Sequence, residues 1–198
     1  MQSLSVLRRL RAFRSDRRAS VSVELAFTLP MLIALLAGGL EITNYVLIHQ
    51  KVERTSATIS DLVAQSVRMT EGQMTSLFAA TKYVMKPFEL GVDGKVIVSS
   101  ITGSDGKAII SWQRPVGATG SRFGGQGADA TETLKAAGLK LQVSEDKYIA
   151  LRDGENIIAC EVFYTYRPML FSGVIKETTL YRHAFFRPRF GKLDVIYK

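Results

Sequence analysis

Few side chains in this sequence have the type and spacing that chemistry needs. The one cysteine, Cys160, lies in the apolar stretch NIIACEVFYTY (156–166), whereas a reactive thiol needs an accessible, electropositive setting; it reads as buried and inert. With one cysteine no intramolecular disulfide can form, so an exported domain would be held by its core alone. His49 and His183 are far apart in the chain, and neither lies near a Cys/Asp/Glu cluster at metal-ligand spacing. The acidic residues Glu53/Asp61 and Glu145/Asp146 read as solvated charge, not as an acid/base couple. Residues 117–127 (GATGSRFGGQG) are glycine-rich but lack the GxxxxGK[ST] order, and no helix with a phosphate-binding lysine follows; they read as a mobile surface loop. Arg187-Pro188-Arg189 reads as a strand-end surface feature and not as a ligand clamp. On these grounds no enzyme activity, cofactor, metal or small-molecule substrate is expected.

Glu24 stands apart. It interrupts the apolar run in RRASVSVELAFTLP (17–30), where an ionisable group is costly unless it has a partner or stays hydrated near an interface. Both readings are open from the residues alone, and what decides between them is the element that carries the carboxylate.

That element follows a basic leader. Residues 1–19 hold six arginines (Arg8, Arg9, Arg11, Arg14, Arg17, Arg18) against Asp16, a net +5 of the chain's +8. Leu25–Leu40 (LAFTLPMLIALLAGGL) then runs for sixteen residues without a charge. Sixteen helical residues cover about 24 Å against a hydrocarbon core of about 30 Å, so flanking Val21, Val23 and Ile42 complete a single span over residues 20–44. Tyr45 falls at headgroup level, with Glu24 and Glu41 near opposite interfaces and Glu41 hydrated. Pro30 predicts a kink or a loosened turn. Positive charge before the span, with Arg14, Arg17 and Arg18 nearest, holds that end in the cytoplasm. Nucleic-acid binding is not expected, because no aromatic-plus-basic surface recurs downstream. A cleaved secretory signal is the competing reading, offered by Ala37-Gly38-Gly39; the long basic region and the apolar residues beyond Leu40 speak against it.

Past the span the apolar pattern stays helical through Val46, Val52, Ile59, Leu62, Val63 and Met69, with charges between. This amphipathic stem would pack on its own head domain, on a partner, or on each along different lengths. Thr70 and Gln73 have the spacing of a capping box opening a second helix over 71–86, which Pro87 stops. Residues 96–101 and 108–112 flank Gly103-Ser104-Asp105-Gly106, a hairpin signal. A short helix covers 129–138. Residues 156–166 and 176–187 read as two long strands of a half-buried antiparallel sheet, joined through Arg167-Pro168-Met169. The fold class is α+β: a long N-terminal helix, part membrane span and part stem, then a small head with an antiparallel sheet packed on helix. The expected division is a leader over 1–19, a transmembrane helix over 20–44, stem and second helix over 45–87, and a head over 88–198.

The basic leader, small-residue junction, glutamate and half-membrane helix together resemble a type IV pilin precursor. More closely, RRASVSVELAFTLPMLIALLAGGLEI is similar to the start of the TadE/TadF family, minor pilin-like (pseudopilin) proteins of tight-adherence (Tad/Flp) pilus systems. DLVAQ (61–65), MKPF (85–88), ISWQR (110–114), EVFYTYRPM (161–169) and FFRPRF (185–190) extend the resemblance over most of the chain. It implies cleavage by a membrane prepilin peptidase between Ala19 and Ser20, making Glu24 the fifth mature residue and pairing its carboxylate with the new amine of its own or a neighbouring subunit. The chain departs from the family at Ala19, where glycine is usual, and at Leu25, where phenylalanine is common. Implied partners are the peptidase, a TadE- or TadF-type counterpart, other pilus subunits and the inner membrane, with the head in the periplasm. The alternative is an unprocessed, signal-anchored periplasmic binding or sensory module.

Overall fold

The computed structural model describes residues 17–117, 120–136, 151–173 and 175–198. Residues up to Asn44 form one compact unit and Tyr45–Lys198 a second. Most of the basic leader, Arg14 included, lies outside the described residues, as do Glu145 and Asp146.

Helix α1 runs from Arg17 to Ala64 with Pro30 inside it. In its first unit the hydroxyls of Thr28 and Thr43 donate to the carbonyls of Glu24 and Gly39, at 2.9 and 2.8 Å. Each polar group is thereby satisfied within the helix, without a water partner. The side chains from Val21 to Leu36 are exposed.

The second unit begins with the remaining turns of α1. Ile48, Val52, Ile59 and Val63 fall on one face at four- and seven-residue steps and are fully buried. They pack into a core with Met74 and Met85 and the sheet residues Val96, Val98, Trp112, Ile158, Cys160 and Val162. Between them lie the small buried residues Thr55, Ser56 and Ser60. Ser60 Oγ lies 3.1 and 3.2 Å from the carbonyls of Ile158 and Ala184, a direct helix-to-sheet contact that a larger side chain would block.

The helical pattern predicted to Met69 stops at Ala64. No glycine or proline ends it; a tertiary contact does. The Arg189 amide donates to the Ala64 carbonyl at 2.9 Å, and the Arg189 guanidinium holds Asp61 at 2.7 Å. Met69–Thr70 leaves as a short strand, β1, which pairs in parallel with β6 (Ile196–Tyr197). Asp61, expected as solvated charge, is therefore part of a helix-end lock, and so is Arg189.

Helix α2 (Glu71–Met85) opens on the predicted capping box: the Gln73 amide donates to Thr70 Oγ1 at 3.2 Å and the Thr70 amide to Gln73 Oε1 at 3.0 Å. At its other end Lys51 Nζ reaches the Val84 carbonyl at 3.2 Å. After the single turn α3 (Leu90–Asp93) come β2 (Gly94–Ser104) and β3 (Lys107–Val116). Asp105 and Gly106 join them with φ of 51° and 72°, the two left-handed residues that a tight primed turn demands.

β4 (Asn156–Tyr166) and β5 (Thr178–Phe186) complete an antiparallel sheet in the order β3-β2-β4-β5. β4 is buried on both faces, not half-buried as expected, because a second layer covers the face away from α1. That layer is the segment after Ser121 together with α4 (Thr131–Ala136): Phe123, Ala130 and Leu134 pack on Ile101, Ile110, Ile157 and Ala159. The described part of the glycine-rich segment is thus a pinned cover and not a mobile loop. The Gly127 amide donates to the Ile110 carbonyl at 2.8 Å, and Ala130 to Ala108 at 2.8 Å. Residues 137 and 138 of the predicted helix lie outside the described residues.

The C-terminal segment docks through a buried polar network. The Leu193 carbonyl accepts from Trp112 Nε1 and Ser100 Oγ, both at 2.7 Å, and its amide donates to Asn156 Oδ1 at 3.2 Å. Asn156 Nδ2 donates in turn to Ser100 Oγ at 2.7 Å and to Thr102 Oγ1 at 3.0 Å. Every polar group here is satisfied, so its burial need not destabilise the fold.

Candidate functional site

The candidate residues divide between the two units. In the first, Arg17, Arg18, Ala19 and Ser20 form the first helical positions of α1. Ser20 and Glu24 are both exposed, and four residues apart on a helix they share one face. The two positions therefore stand about one turn apart. Downstream, Phe27, Met31, Leu35 and Leu36 are at least three-fifths exposed. Glu41 departs from expectation: it is 3 % exposed, buried and not hydrated.

In the second unit the residues weighed for chemistry do not converge. Cys160 is fully buried mid-strand, and desolvation, reinforced by the neighbouring Glu161, pushes its thiol above the ordinary range. That is the opposite of what a nucleophilic cysteine needs. His49 sits on α1, with Arg182 Nη2 at 3.2 Å from Nδ1. A guanidinium can only donate, so Nδ1 accepts and the proton resides on Nε2. Partial burial, then the Arg182 charge, lower the pKa of His49. His183 lies in β5 opposite Glu161, with its ring 5.1 Å from Phe185 and 5.4 Å from Tyr181. Arg187 reaches Glu155 at 3.5 Å and Arg189 is committed to Asp61, so this pair forms separate surface contacts. Among the described residues no three His, Cys, Asp or Glu side chains gather as a metal site would require.

A residue missed from the sequence is Glu161, 1 % exposed in the central strand. Its carboxylate accepts from the Arg122 amide and the Tyr181 hydroxyl, each at 3.0 Å, and from the Ser121 hydroxyl. The Arg122 guanidinium stacks over the Tyr181 ring at 3.9 Å. Burial, then the adjacent carboxylate, raise the Tyr181 phenol, which keeps it a proton donor to Glu161 at any physiological pH. Two of the three donors, from Ser121 and Arg122, hold the covering segment to the sheet, and the third, from Tyr181, ties β4 to β5, which makes Glu161 an anchor. An acid in an otherwise apolar strand was the available signal.

The chain thus combines a long helix with an exposed apolar stretch and a small α+β domain with an antiparallel sheet. Residues 19–60 match the family model described as TadE, TadE-like protein, a segment that contains Ala19, Ser20 and Glu24. No curated protein and no solved structure matches the chain. Among the described residues one helix, Ser20–Ala64, is long and apolar enough to cross a membrane, and its apolar stretch is almost wholly unburied.

Proposed function

We propose that this chain is a minor pilin-like, pseudopilin component for assembly of a Tad (Flp) type IV pilus. It is held in the bacterial inner membrane by residues 20–44, with the leader cytoplasmic and the head periplasmic. A prepilin peptidase cuts between Ala19 and Ser20, and the head then remains on a span whose first residues are Ser20 and Glu24. The observation that carries this reading is the uncovered apolar surface from Val21 to Leu36, which begins one turn around a lone exposed carboxylate.

Physical reasoning supplies the steps. Arg14, Arg17 and Arg18 resist translocation and keep the scissile junction on the cytoplasmic side. After the cut, an ammonium at Ser20 and the Glu24 carboxylate neutralise each other near membrane depth, which offsets the desolvation that makes either alone expensive. If the amine belongs to a neighbour, the same contact sets the axial register between subunits. The apolar sheath then packs on helices of the TadE- or TadF-type counterpart and other pilus subunits, as lipid-exposed helices do by close packing. Glu24→Ala tests this directly: the variant inserts and accumulates in membranes as the parent does, but pilus formation is impaired. Unchanged pilus formation by Glu24→Ala contradicts the pairing.

A further inference from the structure

Residues 194–198, around β6, carry a pattern that is complementary to itself. Asp194-Val195-Ile196-Tyr197-Lys198 runs acid, three apolar or aromatic residues, base. β6 pairs through one edge with β1, Ile196 opposite Met69 and Tyr197 opposite Thr70. Among the described residues no strand covers its second edge. The backbone there is held in place. Just upstream, Leu193 docks in the core through Trp112, Ser100 and Asn156, and Ile196 packs partly buried against that core. Val195 and Tyr197 flank Ile196, lie on the other face, and are 53 % and 46 % exposed. The Arg68 guanidinium stacks over the Tyr197 ring at 5.6 Å. Asp194 and Lys198 are both exposed, and among the described residues neither enters an ion pair. An ordered strand with a free edge and exposed apolar side chains is a template for another strand.

We infer that β6 is a docking edge for a second copy of this chain, paired antiparallel across a two-fold axis at Ile196. The self-complementary pattern selects the occupant. Opposed residues of an antiparallel pair alternate between hydrogen-bonded and non-hydrogen-bonded, so a two-fold axis must set one residue opposite its own copy. With Ile196 on the axis, Val195 faces Tyr197 of the second copy and Asp194 faces its Lys198. Symmetry makes each contact twice. Opposed residues share a face of the ladder, so valine meets tyrosine on one face and acid meets base on the other. Moving the axis to Val195 or Tyr197 sets Asp194 or Lys198 against Ile196 and loses both charge pairs. The two short ladders join as β1-β6-β6-β1, which covers the free edge of each copy. Every residue involved belongs to the unit Tyr45–Lys198, so the inference stands or falls separately from a cut at Ala19-Ser20.

The test is the mass of the full chain in detergent, by sedimentation and light scattering, for the parent and for Asp194→Lys and Lys198→Asp. Each reversal makes both opposed charge pairs repulsive, so either variant alone should dimerise roughly tenfold or more weakly than the parent. A one-to-one mixture of the two variants should recover the parent's dimer, because opposite charges then meet at both pairs. Recovery in the mixture also shows that both variants fold. Disulfide trapping reads the register: chains with Val195→Cys should link to chains with Tyr197→Cys and not to themselves, with Cys160 buried in both. A parent that stays monomeric at about 100 μM overturns the proposal. Dimers indifferent to both reversals are held by the apolar stretch of α1 or by another surface, and overturn it too. So does a mixture that dimerises no better than its components.

Discussion

Replacing Glu161 with alanine tests the claim that one carboxylate holds the second layer on the sheet. Three donors converge on it: the Arg122 amide and Tyr181 hydroxyl at 3.0 Å, and the Ser121 hydroxyl. A hydrogen bond to a charged acceptor contributes about 1.5–3 kcal/mol. Ser121 and Tyr181 are only partly buried, so water recovers some of that loss, and the alanine variant no longer desolvates a charge. The net cost works out near 3 kcal/mol, a large share of the ~5–15 kcal/mol that domains of this kind possess. Glu161→Gln keeps an oxygen for the amide and phenol, and its NH2 can donate to Ser121 Oγ, so it should cost about 1 kcal/mol. The assay is urea unfolding of the full chain in detergent, followed by Trp112, the only tryptophan, which is 2 % exposed in β3. With a urea slope of about 1–3 kcal/mol per molar, the alanine midpoint falls by roughly 1–3 M. If Glu161→Ala unfolds within about 0.5 kcal/mol of the parent, as exposed Glu53→Ala should, the carboxylate is not an anchor.

Two further perturbations follow from the same geometry. Gly103→Ala would drive a methyl into the Arg152 carbonyl oxygen, where the Gly103 amide and carbonyl hold Glu155 and Gly154. It should lower stability by about 1–3 kcal/mol in the same unfolding assay, whereas Gly72→Ala, with open space around it, should not. His49 has a folded pKa below its unfolded value of 6.5, from partial burial and then from Arg182. The unfolded chain therefore takes up a proton that the folded chain refuses. Stability is full above pH 6.5, falls as pH drops toward the folded value and levels off below it. His49→Gln should flatten that segment of the stability–pH curve, and an unchanged slope would show that the histidine does not titrate there.

What was legible in the sequence was what local chemistry dictates. Asp105-Gly106 specified a two-residue turn, Thr70 and Gln73 a capping box, and the alternation of Ile158, Cys160, Val162 and Tyr164 one face of a strand. Long-range contacts were not legible. Ala64 ends its helix because an amide from Arg189 arrives there, and no residue near 64 announces it. Phe123, Ala130 and Leu134 cover β4, but a glycine-rich composition around Phe123 suggested mobility. Glu161 took its role from Ser121, Arg122 and Tyr181, which lie 20–40 residues away in the chain. Glu24 was legible as an anomaly, since a charge in an apolar run is visible in one dimension. Glu41 was not, because its burial leaves no mark in the sequence.

The central claim is that Glu24 acquires its partner by a cut at Ala19-Ser20. The mass of the mature N-terminal peptide, measured on protein isolated from membranes of the native host, tests this most directly. The account predicts a first residue at Ser20, and that Glu24→Ala is still cut there. An intact Met1 would leave Glu24 without an amine and contradict the claim, while a first residue at Leu40 would remove the span altogether.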